Sequence, residues 1–228
     1  MQTKRIVILG PSGAGKSTLA RRIGERLSLP VVHLDTLFWN PGWVQTEGSR
    51  FHEQVAEAVN GDAWVMDGNY TGSHLDLRLS RAHVVIWLDL PRHVYFPRVV
   101  WREIKYYGRA RQDIGPGCPE RIDLPFLKDW VWTYPTRSRA LHAEIMASLP
   151  AGVRGIVLKS RAEVAAFSSD LLRLMTTPCD RPVPTTYGRE PVDRVSDSEG
   201  AECPAGAPLV VAPVAASGRA TTRVAPTS

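Results

Sequence analysis

The eight residues Gly10-Pro11-Ser12-Gly13-Ala14-Gly15-Lys16-Ser17 satisfy the pattern G-x-x-x-x-G-K-[ST] at every fixed position. Such a loop is useful only between a strand and a helix, so it constrains its neighbours as well as itself. Before it, Arg5-Ile6-Val7-Ile8-Leu9 is a short apolar run of β-type residues. After it, Leu19, Ile23 and Leu27 recur at helical spacing within Thr18 to Leu27. The chain therefore begins as strand, glycine loop, helix.

Glycines allow consecutive backbone N–H groups to turn inward on an anion, because a Cβ would block both the conformation and the close approach. The N-terminus of the following helix adds its unpaired donors and the positive end of its dipole. Lys16 is placed to reach β and γ phosphates, and the Ser17 hydroxyl to complete a Mg²⁺ shell. Pro11 has no N–H to offer, so the cradle is expected from Gly13 onward. The expected nucleotide-binding residues are Gly10, Pro11, Ser12, Gly13, Ala14, Gly15, Lys16, Ser17 and Thr18, and the implied cofactors are ATP and Mg²⁺.

Acids at the ends of later strands extend the site. Leu29 to Asp35 reads as a second strand ending in Asp35, and a parallel sheet presents ligand-facing groups at its carboxyl ends. Trp39 and Trp43 then either line a pocket or pack as core, and Phe51, Val55 and Val59 mark a helix stopped by Gly61-Asp62. Ala63 to Tyr70 forms a third strand carrying Asp67, the first choice for holding Mg²⁺. Its competitor is Asp89, at the end of a fourth strand from Ala82 to Pro91, where Leu90-Pro91 suggests a turn away from the site. A fifth strand is expected at Val153 to Lys159 and a last helix from Ala162 to Met175.

The chain has 228 residues, is 43% hydrophobic and carries a net charge of +5, enough for one α/β core with a mildly basic surface. Much of the excess is local: Arg92, Arg98, Arg102, Lys105, Arg109 and Arg111 face only Glu103 within their span. That run is either a solvated basic face or an arginine-rich lid, about 92–125, closing over transferring phosphate, and we expect the lid. Arg98, Arg102 and Arg109 are its candidate catalytic cations, and Arg137 is a further candidate contact to phosphate. Gln112 to Asp129, rich in Gly, Pro and charge, would be the lid or its hinge. Phe126 to Tyr134 starts a helix that Pro135 interrupts.

No stretch approaches the roughly 18 apolar residues of a membrane span, and the first strand leaves no room for a signal peptide, so a cytoplasmic protein without a membrane partner is expected. Cys118, Cys179 and Cys203 are too scattered for a disulfide framework or a metal site. From Thr176 the chain is rich in Pro, Ala, Gly, Ser and Thr, which predicts a disordered tail at 176–228 after one P-loop domain at 1–175.

Several segments together resemble a family. The glycine loop, His33-Leu34-Asp35-x-Leu37-Phe38-Trp39-x-Pro41-Gly42-Trp43, Trp64-Val65-x-Asp67-Gly68-Asn69-Tyr70, Leu88-Asp89-x-Pro91, and Asp113 with Cys118-Pro119-Glu120 are similar to the small P-loop proteins called DNA topology modulation proteins or adenylate kinase-related kinases. The resemblance covers about residues 4–173. It implies the α/β fold of nucleoside and nucleotide kinases, a P-loop NTPase with a five-stranded parallel sheet flanked by helices and a lid after strand four. By this similarity Asp67-Gly68 stands where adenylate kinases carry Asp-Gly-Phe-Pro-Arg, but Asn69-Tyr70 replaces Phe-Pro and no Arg follows. That departure points away from a nucleoside monophosphate acceptor. An acid at the position of Asp35 is instead similar to the general base of kinases that phosphorylate a hydroxyl.

The expectation is an ATP- and Mg²⁺-dependent phosphotransferase with a small-molecule acceptor, Lys16 and Asp35 among its catalytic residues, working as a monomer or homodimer. The alternative is an ATP-binding regulator of DNA topology, which would make nucleic acid the partner.

Overall fold

Five parallel strands, in the order β2-β5-β1-β6-β7, carry the computed structural model, which describes residues 4–170. They are β1 (Arg5–Leu9), β2 (Val31–His33), β5 (Trp64–Asp67), β6 (Val84–Leu88) and β7 (Arg154–Leu158). β1 lies at the centre, with Ile8 level with Asp67 of β5 on one side and Ile6 level with Val84 of β6 on the other. The chain leaves β1 toward one edge and returns to build the other, so the strand order reverses beside β1. In open parallel sheets the carboxyl-end crevice at such a reversal is where ligands sit.

The strands read as unbroken apolar runs because both sheet faces are covered. Successive side chains on β1 alternate: Ile6 and Ile8 join Leu19, Ile23, Ile86 and Tyr95 on one face, while Val7 and Leu9 join Phe38, Phe51, Val55 and Trp87 on the other. Helix α1 (Lys16–Leu27) buries Leu19 and Ile23, two of the three residues whose spacing marked it in the sequence, while the third, Leu27, is partly buried. After β2 come α2 (Leu34–Phe38), a small antiparallel hairpin of β3 (Trp39–Asn40) and β4 (Val44–Gln45), and α3 (Gly48–Asn60). α3 buries Phe51, Val55 and Val59 as their period predicts.

Three local readings need correction. The second strand stops at His33, and Asp35 lies in the first turn of α2 rather than at a strand end. The chain between Tyr70 and Ala82, unassigned in the sequence, holds α4 (Ser73–Arg81), whose Leu75 and Arg78 are buried. The helix from Phe126 is π-helical to Trp132. It is followed by α6 (Tyr134–Arg137), where Pro135 occupies the first turn, and by α7 (Arg139–Ala147). Proline fits a first turn because its missing N–H would have no partner there. α8 (Arg161–Ser169) closes the described chain. The expected tail at 176–228, Cys179, Cys203 and the last turn to Met175 lie outside the described residues.

The lid expected over 92–125 divides in two. α5 (Arg92–Lys105) is not lid but core: Tyr95 and Val99 are fully buried beneath the glycine loop. Only the irregular stretch 106–125 folds across the carboxyl end of the sheet. It docks on the β3–β4 hairpin, where Gly42 N–H donates to Gly117 O (2.8 Å), Trp43 Nε1 to Pro119 O (2.8 Å) and Cys118 Sγ to Asn40 O (3.1 Å). The fit is tight, since a Cβ on Gly115 would stand 2.4 Å from the Trp39 carbonyl oxygen.

Candidate active site

The glycine loop, α5, the hairpin and the 106–125 stretch enclose a cavity of about 240 Å³ over the carboxyl ends of β1 and β5. Ser12, Gly13, Gly15, Lys16, Ser17 and Thr18 form its floor. Gly13 has φ +79°, and a Cβ there would meet the Tyr95 carbonyl oxygen at 2.5 Å and Val99 Cγ2 at 2.6 Å. The loop thus needs glycine twice over, for its conformation and for its seat on α5. Gly10, Pro11 and Ala14, expected among the binding residues, do not line the cavity. They shape it from behind: Gly10 exchanges hydrogen bonds with the Asn69 side chain (3.0 and 2.8 Å), and Lys16 Nζ donates to the carbonyls of Gly10 (2.9 Å) and Pro11 (3.2 Å). Burial lowers the Lys16 pKa, and the charges of Asp67 and Asp35 work against that shift.

Asp67 stands at the end of β5 where the sequence put it, 5% exposed, and accepts from Ser17 Oγ at 2.8 Å and from His33 Nδ1 at 2.5 Å. Burial pulls His33 down, but the hydrogen bond and charge of Asp67 outweigh it and leave its pKa raised. Asp89 is engaged elsewhere: Arg139 donates to both its oxygens at 2.7 and 2.8 Å, outside the cavity lining. The paired hydroxyl and carboxylate of Ser17 and Asp67 are hard oxygen donors, the type Mg²⁺ takes when phosphates and water complete its shell.

Asp35 faces the same cavity from α2. Its Oδ1 accepts from the Tyr70 hydroxyl at 2.7 Å, and burial raises its pKa in spite of that bond. Tyr70 is held in turn by Arg78, a fully buried guanidinium that donates to the carbonyls of Gly68 (2.8 Å), His74 (3.1 Å) and Tyr70. A buried cation is tolerable because carbonyl oxygens replace its water. Helix α4, missed in the sequence, therefore fixes the partner of Asp35.

Among the expected arginines, Arg98 and Arg102 line the cavity, and Arg98 Nη1 reaches the Ala14 carbonyl at 3.5 Å above the loop. Arg109 does not: it is exposed past the end of α5, where Gly108 turns the chain. Arg111 takes that place, bonded through Nε to Glu120 (2.5 Å) and through Nη1 to Asp113 (2.7 Å). Burial raises Asp113, but Arg111 and the Ser17 hydroxyl outweigh it and hold its carboxyl below the usual range. Arg137 also lies outside the lining, with its guanidinium 3.4 Å above the Trp130 ring. Trp39, 4% exposed, belongs to the core and, with Trp43, still lines the cavity, so both readings of that pair hold in part.

The comparisons with known proteins agree with this architecture. No family model matches the chain. It is 31% identical over 156 residues to the uncharacterized protein YqaC of Bacillus subtilis, covering 64% of this chain and 84% of that one. It is 35% identical over 97 residues to the shikimate kinase of Corynebacterium efficiens and 32% identical over 81 residues to the adenylate kinase of Mycobacterium leprae. Those two matches cover 37% and 36% of this chain, and 57% and 42% of the relatives. The shikimate kinase of Acinetobacter baumannii, solved with shikimate, superposes with a TM-score of 0.51 at 16% identity, covering 76% of this chain and 93% of that one.

The chain belongs to the small P-loop kinases. In this fold Lys16, Ser17, Asp67 and Asp35 converge on one cavity. The DNA-binding alternative gains nothing from these relatives. Of the basic run, Arg92 lies over Trp132, Lys105 over Tyr106, and Arg98, Arg102 and Arg111 line the cavity, while Arg109 is exposed. Among the described residues no helix is long and apolar enough to cross a membrane.

Proposed function

We propose that this kinase moves the γ-phosphoryl group of ATP to a hydroxyl of a small acceptor, with Mg²⁺. The observation that carries the reading is a half-buried carboxyl, Asp35, in the same cavity as Lys16 and the glycine-loop amides. Lys16 and the amides of Gly13, Gly15 and Ser17 grip the phosphates, and Arg98 covers the loop from α5. Ser17 and Asp67 hold the metal, which when bound neutralises charge on the phosphates. His33 fixes the orientation of Asp67 through its short hydrogen bond.

Asp35 accepts the proton of the acceptor hydroxyl as that oxygen bonds to the γ phosphorus, and the bond from phosphorus to the bridging oxygen of ADP breaks. The Tyr70 hydroxyl holds the Asp35 carboxylate in place for this transfer. The stretch 106–125 acts as the lid and excludes water, which would otherwise take the phosphoryl group. The likeness in sequence to shikimate kinase supports a hydroxyl acceptor. The test is ADP release by purified protein across hydroxyl compounds, repeated with Asp35→Asn. Turnover falling by roughly 10²–10⁴-fold with Mg-ATP affinity preserved supports the base role. Undiminished turnover by the variant refutes it.

A further inference from the structure

We propose that the acceptor is an uncharged, hydroxyl-bearing ring compound with no phosphate or carboxylate of its own. The inference rests on the phosphotransfer reading above and narrows it. On the acceptor side of the cavity, between the hairpin and 106–125, three cations reach the lining: Arg102, Arg111 and Arg121. An anionic acceptor would need one of them, and each lies within ion-pair distance of a carboxylate, although Arg102 Nε makes no hydrogen bond to the Glu120 oxygen that it shares with Arg111.

Arg111 is bound to Glu120 at 2.5 Å and to Asp113 at 2.7 Å. Arg102 Nε lies 3.5 Å from the same Glu120 oxygen, and Arg121 Nη2 lies 3.3 Å from Asp123. The three arginines are thus matched by Glu120, Asp113 and Asp123. Beyond those pairs, and apart from Asp67 beside Ser17, two further acids line the cavity, Asp35 and Glu103. Burial pushes the Glu103 carboxyl up to about 7, so near neutral pH it is protonated in about half of the molecules and can donate as well as accept a hydrogen bond. The acceptor side is therefore neutral to negative.

A phosphate entering it would have to draw Arg111 away from Glu120, a carboxylate only 5% exposed, and leave that buried charge with Arg102 alone, at 3.5 Å, to face it. An uncharged ring meets no such obstacle. Trp39 and Trp43, edge to face with centroids 5.5 Å apart, offer it an apolar wall, and the carboxyl groups of Asp35 and Glu103 offer partners for hydroxyls.

Calorimetry on the full chain tests this. The protein is first loaded with Mg²⁺ and a non-hydrolysable ATP analogue, so that the phosphate sites over the loop are filled. Failure to bind the analogue would overturn the phosphotransfer reading and this inference with it. Inorganic phosphate is then titrated into the loaded protein. The wild type is expected to show no saturable binding, whereas Glu120→Gln, which frees Arg111 and Arg102, should gain at least about tenfold in phosphate affinity. Asp113→Asn, at a more exposed site, should move the same way by less and serves if Glu120→Gln misfolds. Saturable phosphate binding by the loaded wild type would overturn the inference while leaving phosphotransfer intact. Folded variants as indifferent to phosphate as the wild type would overturn it too.

Discussion

The two halves of the cavity are built differently. The phosphate half comes from nine consecutive residues, Gly10 to Thr18, whose shape is set by glycine backbone and by the start of α1. The acceptor half is assembled from pieces far apart in the chain: Trp43 meets Pro119, Gly42 meets Gly117, and Arg111 meets Glu120 only because 106–125 folds back on the hairpin. A contiguous grip depends on local conformation, which sequence specifies directly. An assembled pocket depends on tertiary packing and can change its ligand while the grip stays the same.

If this contrast is right, damage to each half should appear in a different measurement. The largest effect is expected from Lys16→Ala: a loss of turnover of about 10³-fold or more together with weaker Mg-ATP binding, read by ADP release and calorimetry. Next comes pH. Because burial raises the Asp35 pKa, the base is protonated, and activity lost, as pH falls through a value above the ordinary carboxylate pKa near 4. Turnover should therefore fall about tenfold per unit on that acid limb, and the limb should disappear in the residual activity of Asp35→Asn. Affinity for the ATP analogue should not follow the same limb. If it does, the two halves titrate as one and the comparison fails.

A smaller effect is expected from Gly115→Ala, whose new methyl would press on the Trp39 carbonyl and lift the 106–125 stretch from the hairpin. A fall in kcat/KM for the acceptor of about tenfold, with analogue binding unchanged, is the expected outcome. Smallest is Trp43→Phe, which removes one hydrogen bond to Pro119 worth about 1 kcal/mol. It should raise the acceptor KM about fivefold and leave kcat nearly untouched.

The same division explains what the sequence disclosed. β1, the loop, α1 and Asp67 were legible because each is a local pattern: an apolar run, a glycine spacing, a helical period, an acid ending a strand. Five strands were placed for the same reason. Asp35 was found, though through a strand that ends two residues earlier, because a three-residue β2 has too little pattern to fix its own boundary. The partners that set its chemistry were hidden, since Tyr70 lies 35 residues away and Arg78 sits on a helix whose signals, Leu75 and Leu79 four apart, are short. Arg109 was favoured over Arg111 because a charge run gives no direction to its members. Past the turn at Gly108, at φ +71°, Arg109 is exposed and Arg111 is held by Glu120 and Asp113. Asp113 and Glu120 were noticed as residues of the resemblance, but their bonds to Arg111 exist only in three dimensions.

Helix α5 belongs to both halves. Its Tyr95 carbonyl and Val99 lie where a side chain at Gly13 would have to go, and one and two turns from that contact it carries Arg98 and Arg102 into the cavity before handing the chain to 106–125. Floor and roof of the chamber therefore hang from a single beam. A change that tilts it to suit a bulkier acceptor also shifts the seat of the triphosphate, so enlarging the guest without disturbing the donor has to be done on the hairpin side.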